Sequence, residues 1–501
     1  MGEAALIAKP ERIFDRDVEW GQLAGFVSRP GRGRPGLGII SGRRRQGKTY
    51  LLQAVAEACG GFYFGAVEAT EAESLRQFAD ALARWSGAAA PPRLASWDEA
   101  IRYLFAQDGG LPRLVAIDEF PYLSTAAPAL PSILQREIDQ GVTSGSEVMI
   151  LLCGSALSVM GGLLSGNAPL RGRAGLEMVI RPFPWRLAAR YWELTDPRLA
   201  ILLNAVVGGT PAYRQLAGDD SPSDLTDFDD WVVRTVLSPA SPLQREARYL
   251  LDEEPGIRDT ALYHSVLAAV ASGNATRGGI ATYIGRRATD VSHHLNVLED
   301  SGLLCRHPDV FRAGRSHYQV AEPLINFYHA IMRPQWAQLE SGRGTAVWAD
   351  ARPRFLAQVA GPHFEQVCRD YALAAPADTF GGLPASVGAG VVSDPSRRTS
   401  IEVDVVVLGP QIPGAPRRLL SLGEAKFGQV MGVREIDRLR RARDLLAGRG
   451  YDTSDTVLAC YSGAGFDPGL ATGSAAERIA LVGLDELYAD TAYGLGGNSG
   501  I

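Results

Sequence analysis

Lysine is scarce in this chain, which carries three lysines in 501 residues, at Lys9, Lys48 and Lys426. Lysine and arginine together number 50, so arginine supplies almost every positive charge. A bias this broad indicates composition rather than function, because most exposed cations can be either residue. The surviving lysines are therefore informative, since a compact ammonium group suits different contacts from a planar guanidinium group.

Cysteine is also sparse, and the cysteines are far apart in the sequence. An odd number of cysteines with mostly apolar neighbours favours buried, reduced thiols over a disulfide framework or a zinc cluster. The N-terminal segment shows neither a signal peptide nor a myristoylation motif. These absences predict a cytoplasmic protein. The five cysteines are Cys59, Cys153, Cys305, Cys368 and Cys460.

Large net charge and long apolar helices are missing as well. The net charge of −6 argues against a surface coated with positive charge, although a local basic face is compatible with it. Hydrophobic residues at 46% and charged residues at 21% exclude a disordered or membrane-embedded chain. Residues 148–170 carry no charge, but Ser, Gly, Asn and Pro interrupt them, which favours a buried strand and a loop over a membrane span.

The hydrophobic pattern predicts an α/β protein built from several domains. Short apolar runs alternate with helical patterns at the start of the chain, which is typical of a parallel sheet covered by helices. A helical segment, a helical unit with a hairpin, and a second region of helices and strands follow. The predicted divisions are an α/β core at 1–185, a helical lid at 186–255, a winged helix at 256–340, a C-terminal α/β domain at 346–485 and a flexible tail at 486–501.

A phosphate-binding loop follows the first apolar strand. Residues 42–49 match the pattern G-x-x-x-x-G-K-[ST], with a strand before them and a helix after them. Backbone N–H groups of such a loop surround phosphates, Lys48 can reach the β- and γ-phosphates, and Thr49 can offer a hydroxyl to Mg²⁺. The predicted nucleotide-contacting residues of the loop are Gly42, Arg43, Arg44, Arg45, Gln46, Gly47, Lys48, Thr49 and Tyr50.

Two carboxylates end the later apolar strand at the edge where a parallel sheet would hold its nucleotide. Asp118 is predicted to hold Mg²⁺, and Glu119 to orient and activate the attacking water. Ser155, after the next strand, would contact the γ-phosphate as a sensor. Arg171 and Arg173 lie on the following loop, where a guanidinium could act on a neighbouring subunit's nucleotide; solvated or structural arginines are the alternative.

With these motifs, the first 250 residues resemble the archaeal-type ATPases of the STAND/AAA+ branch of P-loop NTPases. The resemblance rests on Phe-Asp-Arg-Asp-Val-Glu at 14–19, the phosphate loop, Ile-Asp-Glu-Phe at 117–120, Cys-Gly-Ser at 153–155 and Gly-Thr-Pro at 209–211. It implies ATP as the nucleotide, with Arg16 near the adenine and Pro211 touching the nucleotide. It favours Arg173 over Arg171 as an arginine finger, because family members often carry tyrosine at the earlier position. An arginine finger also implies a homo-oligomer.

The middle of the chain predicts three helices and a hairpin, the elements of a winged helix-turn-helix. Polar side chains on its third helix and arginines in its wing could read DNA. In ATPases of the branch it resembles, such modules also serve as structural relays packed on the lid, and both readings stay open. The residues concerned are Thr289, Ser292, His293 and Asn296 on the helix, and Arg306, Arg312 and Arg315 in the wing.

Acidic residues and the third lysine share strand faces near the C-terminus. Alternation places Glu402 and Asp404 on one face of a strand, and Glu424 and Lys426 on one face of the next. Two carboxylates on neighbouring strands can hold a divalent metal, and the lysine can position water or steady charge at a phosphate. A structural ion cluster in an inactive domain is the alternative.

This arrangement resembles the PD-(D/E)XK nuclease superfamily across residues 346–480. The resemblance implies Mg²⁺ or Mn²⁺ held by Glu365, Asp404 and Glu424, with Lys426 as a catalytic residue. Val403 stands where many members have proline. The arginine-rich helix around residues 434–446 could bind a phosphodiester backbone or simply be solvated.

The sequence thus predicts an ATP-hydrolysing switch or motor coupled to a metal-dependent phosphodiesterase, in nucleic-acid processing or defence, with DNA favoured over RNA and no membrane partner. One alternative is an ATP-gated oligomerising scaffold or regulator whose nuclease-like domain does not cut. Another is a sequence-specific DNA-binding regulator that acts through the winged helix.

Overall fold

In the computed structural model, the described residues are 7–28, 34–106, 112–252, 257, 260–472 and 478–489. The chain divides into two units. The first comprises residues 1–182 and 254–256, and the second comprises residues 183–253 and 257–501.

A parallel five-stranded sheet forms the centre of the first unit. Its strands are β1 (Gly36–Ser41), β2 (Phe62–Gly65), β3 (Leu114–Asp118), β4 (Met149–Gly154) and β5 (Ala174–Val179). They are ordered β2-β3-β4-β1-β5, and every neighbouring pair is parallel. Strands β3 and β4 are buried along their whole length because helices cover both faces of the sheet. The predicted α/β class with a parallel sheet is confirmed, and it is consistent with a P-loop fold.

The helices of the first unit lie over two apolar clusters, one on each face of this sheet. The longest, at residues 71–86, buries Leu75, Phe78 and Leu82, whose spacing of three and four residues places them on one face. Thr70 caps its N-terminus by accepting a hydrogen bond from the Glu73 N–H group. The helices are α1 (Asp17–Val27), α2 (Lys48–Ala58), α3 (Glu71–Ser86), α4 (Trp97–Phe105), α5 (Phe120–Ala126), α6 (Leu130–Ser144) and α7 (Leu157–Gly162).

The second unit combines many helices with a hairpin and a mixed sheet. Its α-helices are α8 (Trp185–Tyr191), α9 (Pro197–Val207), α10 (Ala212–Leu216), α11 (Phe228–Trp231), α12 (Pro242–Asp252), α13 (Thr260–Ala271), α14 (Arg277–Tyr283), α15 (Ala288–Asp300), α16 (Pro323–Phe327), α17 (Trp336–Glu340), α18 (Gly344–Phe355), α19 (Gly361–Ala374), α20 (Val433–Ala447), α21 (Pro468–Thr472) and α22 (Leu484–Tyr488). Single π-helical turns lie at Val232–Val236, Tyr328–Met332 and Leu356–Ala360, and a 3₁₀ turn lies at Arg333–Gln335. Its strands are β6 (Leu304–Pro308), β7 (Ser316–Val320), β8 (Ser386–Asp394), β9 (Thr399–Leu408), β10 (Leu419–Lys426), β11 (Val457–Ser462) and β12 (Ile479–Val482).

The mixed sheet is ordered β12-β11-β10-β9-β8. Strands β8, β9 and β10 pair antiparallel, whereas β10, β11 and β12 pair parallel. Helix α19 packs on one face, where Phe364 meets Phe427, and α20 packs on the other through Ile436 and Leu439. The sheet is therefore buried between two helices, which explains the apolar runs of its central strands.

The predicted three helices and hairpin of the middle segment are present as α13, α14, α15 and the antiparallel pair β6–β7. The turn of this hairpin, residues 309–315, is called the hairpin tip below. It does not extend freely, because the Val310 N–H group donates to the Ala389 carbonyl on β8 at 3.1 Å. The Arg312 guanidinium also donates to the Ser393 hydroxyl at 2.8 Å.

Two glycines of β8 make this docking possible. A Cβ atom at Gly390 would lie 2.5 Å from the Phe311 ring, and one at Gly388 would lie 2.9 Å from Val310. Neither distance is compatible with a real side chain, so the backbone of β8 is bare where the hairpin tip rests. The Phe311 ring also meets Tyr451 edge to face, with centroids 5.7 Å apart.

One apolar cluster runs through the second unit from Trp192 to Leu487. It joins helices of the predicted lid, the hairpin module and the C-terminal sheet, so the proposed boundaries inside this unit remain predictions. The predicted tail begins too early, because α22 includes residues 486–488 and Leu487 is buried. Residues 490–501 of that predicted tail lie outside the described residues.

Two predictions from composition can be compared with the structure. None of the five cysteines forms a disulfide; Cys153, Cys368 and Cys460 are buried as expected, whereas Cys59 and Cys305 are exposed. Within the described ranges, no helix is both long and apolar enough to cross a bilayer. The uncharged segment at 148–170 instead folds as β4, a turn and α7.

Replacing Gly390 by alanine should destabilise the second unit, because the added methyl group must displace the Phe311 ring. Overpacking of this kind costs about 1–3 kcal/mol of unfolding free energy. Urea unfolding followed by tryptophan fluorescence measures the change. Gly428→Ala is the matched control, since a Cβ atom there meets nothing within 4 Å. Equal midpoints for the two variants would contradict the docking of the hairpin tip on β8.

Candidate functional site

The phosphate loop connects β1 to α2, with α2 beginning at Lys48. Its backbone takes left-handed angles at Arg45 (φ 67°) and Gly47 (φ 87°). Gly42 is required for a different reason, because a Cβ atom there would lie 2.4 Å from the Ile180 carbonyl oxygen. These turns produce a tight loop at the N-terminus of an 11-residue helix, where backbone N–H groups and the helix dipole favour an anion.

Lys48 is the buried cation of this loop, with 4% of its surface exposed. Its ammonium group donates to the Arg43 carbonyl at 2.8 Å. Burial lowers the pKa of Lys48, and the neighbouring carboxylates of Glu119 and Asp118 oppose that shift. A phosphate group bound in the loop would add the negative charge that favours the ammonium form. Thr49 is exposed at the start of the same helix.

Asp118 ends β3 and is almost fully buried. Its carboxylate accepts hydrogen bonds from the Tyr63 hydroxyl at 3.2 Å and from the Glu119 N–H group at 3.0 Å. Burial and the Asp118 charge raise the pKa of Tyr63, which therefore stays a donor. Sequence reasoning missed Tyr63; the available signal was a phenolic side chain on a short apolar strand.

Glu119 lies beside Ser155 because β3 and β4 are neighbours and both side chains follow the carboxyl ends of these strands. The Ser155 hydroxyl donates to the Glu119 carboxylate at 3.0 Å, and its N–H group does so at 3.3 Å. Glu119 also has a left-handed backbone (φ 48°), which is strained for a residue with a side chain. Ser155, predicted as a phosphate sensor, here fixes the orientation of the predicted base.

Arg16 supports the loop from within the first unit. Its guanidinium donates to the Arg181 carbonyl at 2.7 Å and to the Gln46 carbonyl at 3.4 Å, and it pairs with Glu19 at 2.7 Å. Only 7% of its surface is exposed. The resemblance implied that Arg16 lies near the adenine, and this stays a prediction; in the structure its guanidinium contacts the carbonyl groups of Arg181 and Gln46.

The two candidate finger arginines contact their own chain. Arg173 forms a two-point ion pair with Asp139 at 2.8 and 2.7 Å, and this pairing lowers the pKa of Asp139. Arg171 donates to the Gly166 carbonyl at 2.6 Å. A role for Arg173 across subunits stays a prediction. So does the nucleotide contact of Pro211, which precedes α10 in the second unit.

The donors of the first unit fit Mg²⁺. The ion prefers oxygen ligands and commonly uses one or two protein groups together with substrate phosphates. Asp118 supplies a carboxylate with lone pairs beyond those used by Tyr63 and Glu119, and Thr49 supplies a hydroxyl.

The C-terminal carboxylates converge because β9 and β10 are neighbours, with Val405 opposite Gly423. The Lys426 ammonium lies 2.9 Å from the Glu424 carboxylate and 3.7 Å from that of Asp404. Asp404 also accepts a hydrogen bond from the Ala425 N–H group at 2.9 Å. The structure thus brings together three of the four residues predicted for this site.

Glu424 is fully buried and has one oxygen without a partner. Its Oε1 accepts from Lys426 at 2.9 Å and from Arg438 at 2.8 Å, whereas Oε2 is buried with no hydrogen bond. Burial, followed by the Asp404 charge, raises the pKa of Glu424. An orphaned carboxylate oxygen is costly in an apolar surrounding and is a position at which a metal ion would fit.

One observation argues against a metal ion at the predicted C-terminal site. Among the described residues, no group of three or more His, Cys, Asp or Glu side chains is placed to hold a metal ion. Asp404 and Glu424 are therefore a pair rather than a complete cage. A pair suffices only for an ion that keeps several waters or takes ligands from a substrate, as Mg²⁺ does.

Glu365, the fourth predicted residue, approaches this pair from α19. Burial, and then the Asp404 charge, raises the pKa of Glu365 to about 7. Arg369, one helical turn later, lies 3.7 Å from Glu365 and donates to the Asp404 carbonyl at 3.1 Å. Sequence reasoning missed Arg369, although its spacing of four residues from Glu365 was a usable signal.

Two arginines of the arginine-rich helix α20 pair with carboxylates of the sheet. Arg438 pairs with Glu424, and Arg441 forms a two-point ion pair with the buried Asp394 at 2.9 and 3.0 Å. This pairing holds the pKa of Asp394 well below its usual range. These ion pairs neutralise the sheet's own carboxylates, while both arginines stay partly exposed. Backbone binding and simple solvation of this helix therefore stay predictions.

The predicted DNA-reading residues are only partly accessible. Thr289, His293 and Asn296 are exposed on α15, whereas Ser292 is half-buried and donates to the Ala288 carbonyl at 3.2 Å. In the hairpin, Arg306 and Arg315 are exposed, and Arg312 is held by Ser393.

Comparison with known proteins found only distant similarity. No protein-family model matches the chain. The uncharacterized protein MJECL04 of Methanocaldococcus jannaschii is 26% identical over 308 residues, which cover 61% of this chain and 66% of that relative. The chain thus spans slightly less than two thirds of that relative.

Solved structures show a similar distant likeness. The Walker-type ATPase PABY2304 of Pyrococcus abyssi shares 18% identity at a TM-score of 0.47, over 64% of this chain and 96% of that one. The ORC2 protein of Aeropyrum pernix, in ADPNP–ADP complexes, shares 15% sequence identity at a TM-score of 0.39, and the match covers 69% of this chain and 99% of that one. Cdc6p of Pyrobaculum aerophilum shares 15% sequence identity at a TM-score of 0.31, and the match covers 70% of this chain and 98% of that one. Scores this low do not assign the chain to any of their families.

Glu365 should make stability depend on pH. Its carboxyl group loses its proton near pH 7 in the folded chain but near its ordinary, lower pKa when unfolded. The unfolded state therefore binds fewer protons between these values, so the unfolding free energy should fall as pH rises from about 5 to about 7. Comparing wild type with Glu365→Gln by urea unfolding at several pH values isolates this effect. A constant difference between the two proteins would contradict the raised pKa.

Proposed function

We propose that the first unit binds ATP and hydrolyses it with Mg²⁺. The observation that carries this proposal is the buried Lys48 ammonium group in a loop with the phosphate-binding motif, near the carboxylates of Asp118 and Glu119. Lys48 and the loop N–H groups would bind the phosphates, and Asp118 and Thr49 would hold the ion. Bound Mg²⁺ would neutralise charge on the β- and γ-phosphate oxygens.

Glu119 is the proposed general base. Its carboxylate can accept a proton from the attacking water, and the two hydrogen bonds from Ser155 hold it in one orientation. Arg16 acts as a positioning residue, since it holds the backbone of the phosphate loop. Arg173 would contribute charge to a neighbouring subunit's nucleotide only after leaving Asp139.

For the second unit we propose a metal-dependent phosphodiesterase acting on nucleic acid, with its activity coupled to the nucleotide state of the first unit. The unpartnered Glu424 oxygen beside Asp404 and Lys426 supports it. Asp404 and Glu424 would hold Mg²⁺ or Mn²⁺, which would polarise the phosphoryl group. Lys426 would orient the attacking water or steady charge on the phosphate.

The second candidate is an ATP-gated oligomerising scaffold whose C-terminal sheet does not cut. Its specific support is the double pairing of Glu424 with Lys426 and Arg438, which gives the carboxylate two cations without any metal. Buried charges paired in this way can be structural.

Replacing Lys48 by alanine should weaken ATP binding by about 1.5–3 kcal/mol, the range for hydrogen bonds to charged groups. Glu119→Gln should retain binding and lower turnover by about 10²- to 10⁴-fold, because the base is lost. Titration with a fluorescent ATP analogue and a phosphate-release assay separate the two effects. Lys9→Ala is the matched control, since Lys9 pairs with Asp17 near the surface. Normal turnover in the Lys48 or Glu119 variant would refute the ATPase assignment.

Cleavage of plasmid and single-stranded DNA, tested with Mg²⁺ or Mn²⁺ and with or without ATP, distinguishes the two proposals for the second unit. Asp404→Asn and Lys426→Ala should abolish it, and Lys426→Arg should impair it because a planar fork replaces a compact ammonium. Asp437→Asn, an exposed acid on α20, is the control. If wild type cuts nothing, the scaffold is favoured; if all variants cut equally, the activity lies elsewhere.

A further inference from the structure

A pocket of about 470 Å³ lies in the second unit, and none of the C-terminal carboxylates lines it. Its wall comes from α13, α14 and α18, from the 3₁₀ turn and from two of the π-helical turns. Among the described residues that line it, none carries a carboxyl group, whereas two carry guanidinium groups. It is therefore called the arginine pocket below. Its polar side chains are Ser272, Tyr283, His329, Arg333, Arg354 and Gln358.

The two arginines of this pocket are held by backbone groups rather than by carboxylates. Arg333 donates to the His264 carbonyl at 3.1 Å, and Arg354 donates to the Ala330 carbonyl at 3.5 Å. Within the described ranges, neither guanidinium group takes part in an ion pair. A guanidinium group has five N–H donors, so one bond to a carbonyl orients it and leaves most donors available to a ligand. Both positive charges therefore lack a counter-charge from the chain.

His329 forms part of the wall and is almost fully buried, with 3% of its surface exposed. Its Nδ1 atom has no hydrogen-bond partner, and an unsatisfied buried polar atom costs folding free energy. Burial lowers the pKa of His329 well below its ordinary value, and the charges of His264 and Arg333 lower it further, so the ring is neutral near pH 7. An anion beside Arg333 would offset that unfavourable charge.

The polar groups of the arginine pocket stand on a packed base. His329 and Gln358 each lie in one of the π-helical turns described above. Such turns are rare and occur frequently at functional sites. Ile331 and Val359, from the same two turns, are almost fully buried in the apolar cluster of the second unit. Because the backbone is fixed in this way, a bound anion would need to order little of the protein.

Phosphate monoesters match the charge of this lining. A monoester carries about −1.5 to −2 charges at pH 7, and the pocket supplies two guanidinium groups without a carboxylate. Guanidinium groups bind phosphate oxygens through paired N–H donors, which makes them well suited to this anion. A phosphodiester carries only one negative charge and would leave one arginine without a counter-charge.

We infer that Arg333 and Arg354 bind the phosphate group of a monoester in this pocket, with Ser272, Tyr283 and Gln358 as neutral donors along its wall. A small phosphorylated molecule and the phosphorylated end of a nucleic-acid strand both present this group. The site shares no residue with the proposed ATPase or phosphodiesterase centre. Its occupancy therefore requires neither ATP hydrolysis nor phosphodiester cleavage.

Isothermal titration calorimetry of the full chain with glycerol 3-phosphate, in the presence of a chelator, tests this inference. The probe has no adenine, and the chelator removes metal-dependent phosphate binding. Arg333→Gln and Arg354→Gln should each weaken binding about tenfold or more, because hydrogen bonds to a charged group are lost. Dimethyl phosphate, a diester, should bind wild type about tenfold more weakly than the monoester. Arg343→Gln is the matched control, since this exposed arginine lies outside the pocket and its side chain bonds to Gln338.

Three results would overturn the inference. One is the absence of binding by wild type up to about 10 mM glycerol 3-phosphate. Another is equal binding of the monoester and the diester. The third is unchanged affinity in both arginine variants, with their folding checked by circular dichroism; if Lys48→Ala then abolishes binding, the phosphate lies in the loop of the first unit instead.

A second arm identifies the source of the phosphate group. Oligothymidine of about 12 nucleotides is compared with and without a 5′-phosphate, again in the presence of a chelator. Tighter binding of the phosphorylated strand that is lost in Arg354→Gln would support the pocket and identify a strand end as its ligand. Equal binding of the two strands, together with arginine-dependent binding of glycerol 3-phosphate, would support the pocket and identify a small molecule.

Discussion

The cost of removing charge from water is the constraint on which both candidate sites depend. An ammonium or carboxylate group inside a protein is stable only when opposite charge or hydrogen bonds replace its hydration. Lys48 meets this requirement with a loop carbonyl and nearby carboxylates, and Glu424 meets it with Lys426 and Arg438. Around each cluster, the sheet strands and flanking helices must keep their register, because a shift of one residue would move the charges to the opposite face.

Local patterns were sufficient to predict the parallel sheet and the phosphate loop of the first unit. Continuous apolar runs predicted the strands of the parallel sheet, and the spacing of Gly42, Gly47 and Lys48 predicted the loop between strand and helix. The position of Asp118 and Glu119 followed from the end of a strand. What could not be predicted was the set of partners, such as Tyr63, because hydrogen bonds between neighbouring strands depend on strand order, and order is not a local property.

The second unit was harder to predict for the same physical reason. Strand alternation predicted Glu402 and Asp404 on one face, but β9 does not alternate strictly, because Val403 belongs to one apolar cluster and Val405 to the other. The pairing of Arg438 with Glu424 and of Arg441 with Asp394 depends on how α20 crosses the sheet, which periodicity alone does not specify. The scarcity of lysine was a useful signal for the candidate sites. Lys48 and Lys426 each lie near carboxylates at a candidate site, whereas Lys9 pairs with Asp17 near the surface.

The docking of the hairpin tip has a consequence for solubility. Strand β8 lies at the edge of its sheet, and an exposed edge offers unpaired N–H and carbonyl groups to strands of other molecules. Glycines in an edge strand add to this risk, because they leave the backbone open. The Val310 N–H group occupies the Ala389 carbonyl, and the Phe311 ring covers Gly390. The hairpin tip thus covers part of the edge strand and blocks a neighbouring chain from pairing with it there.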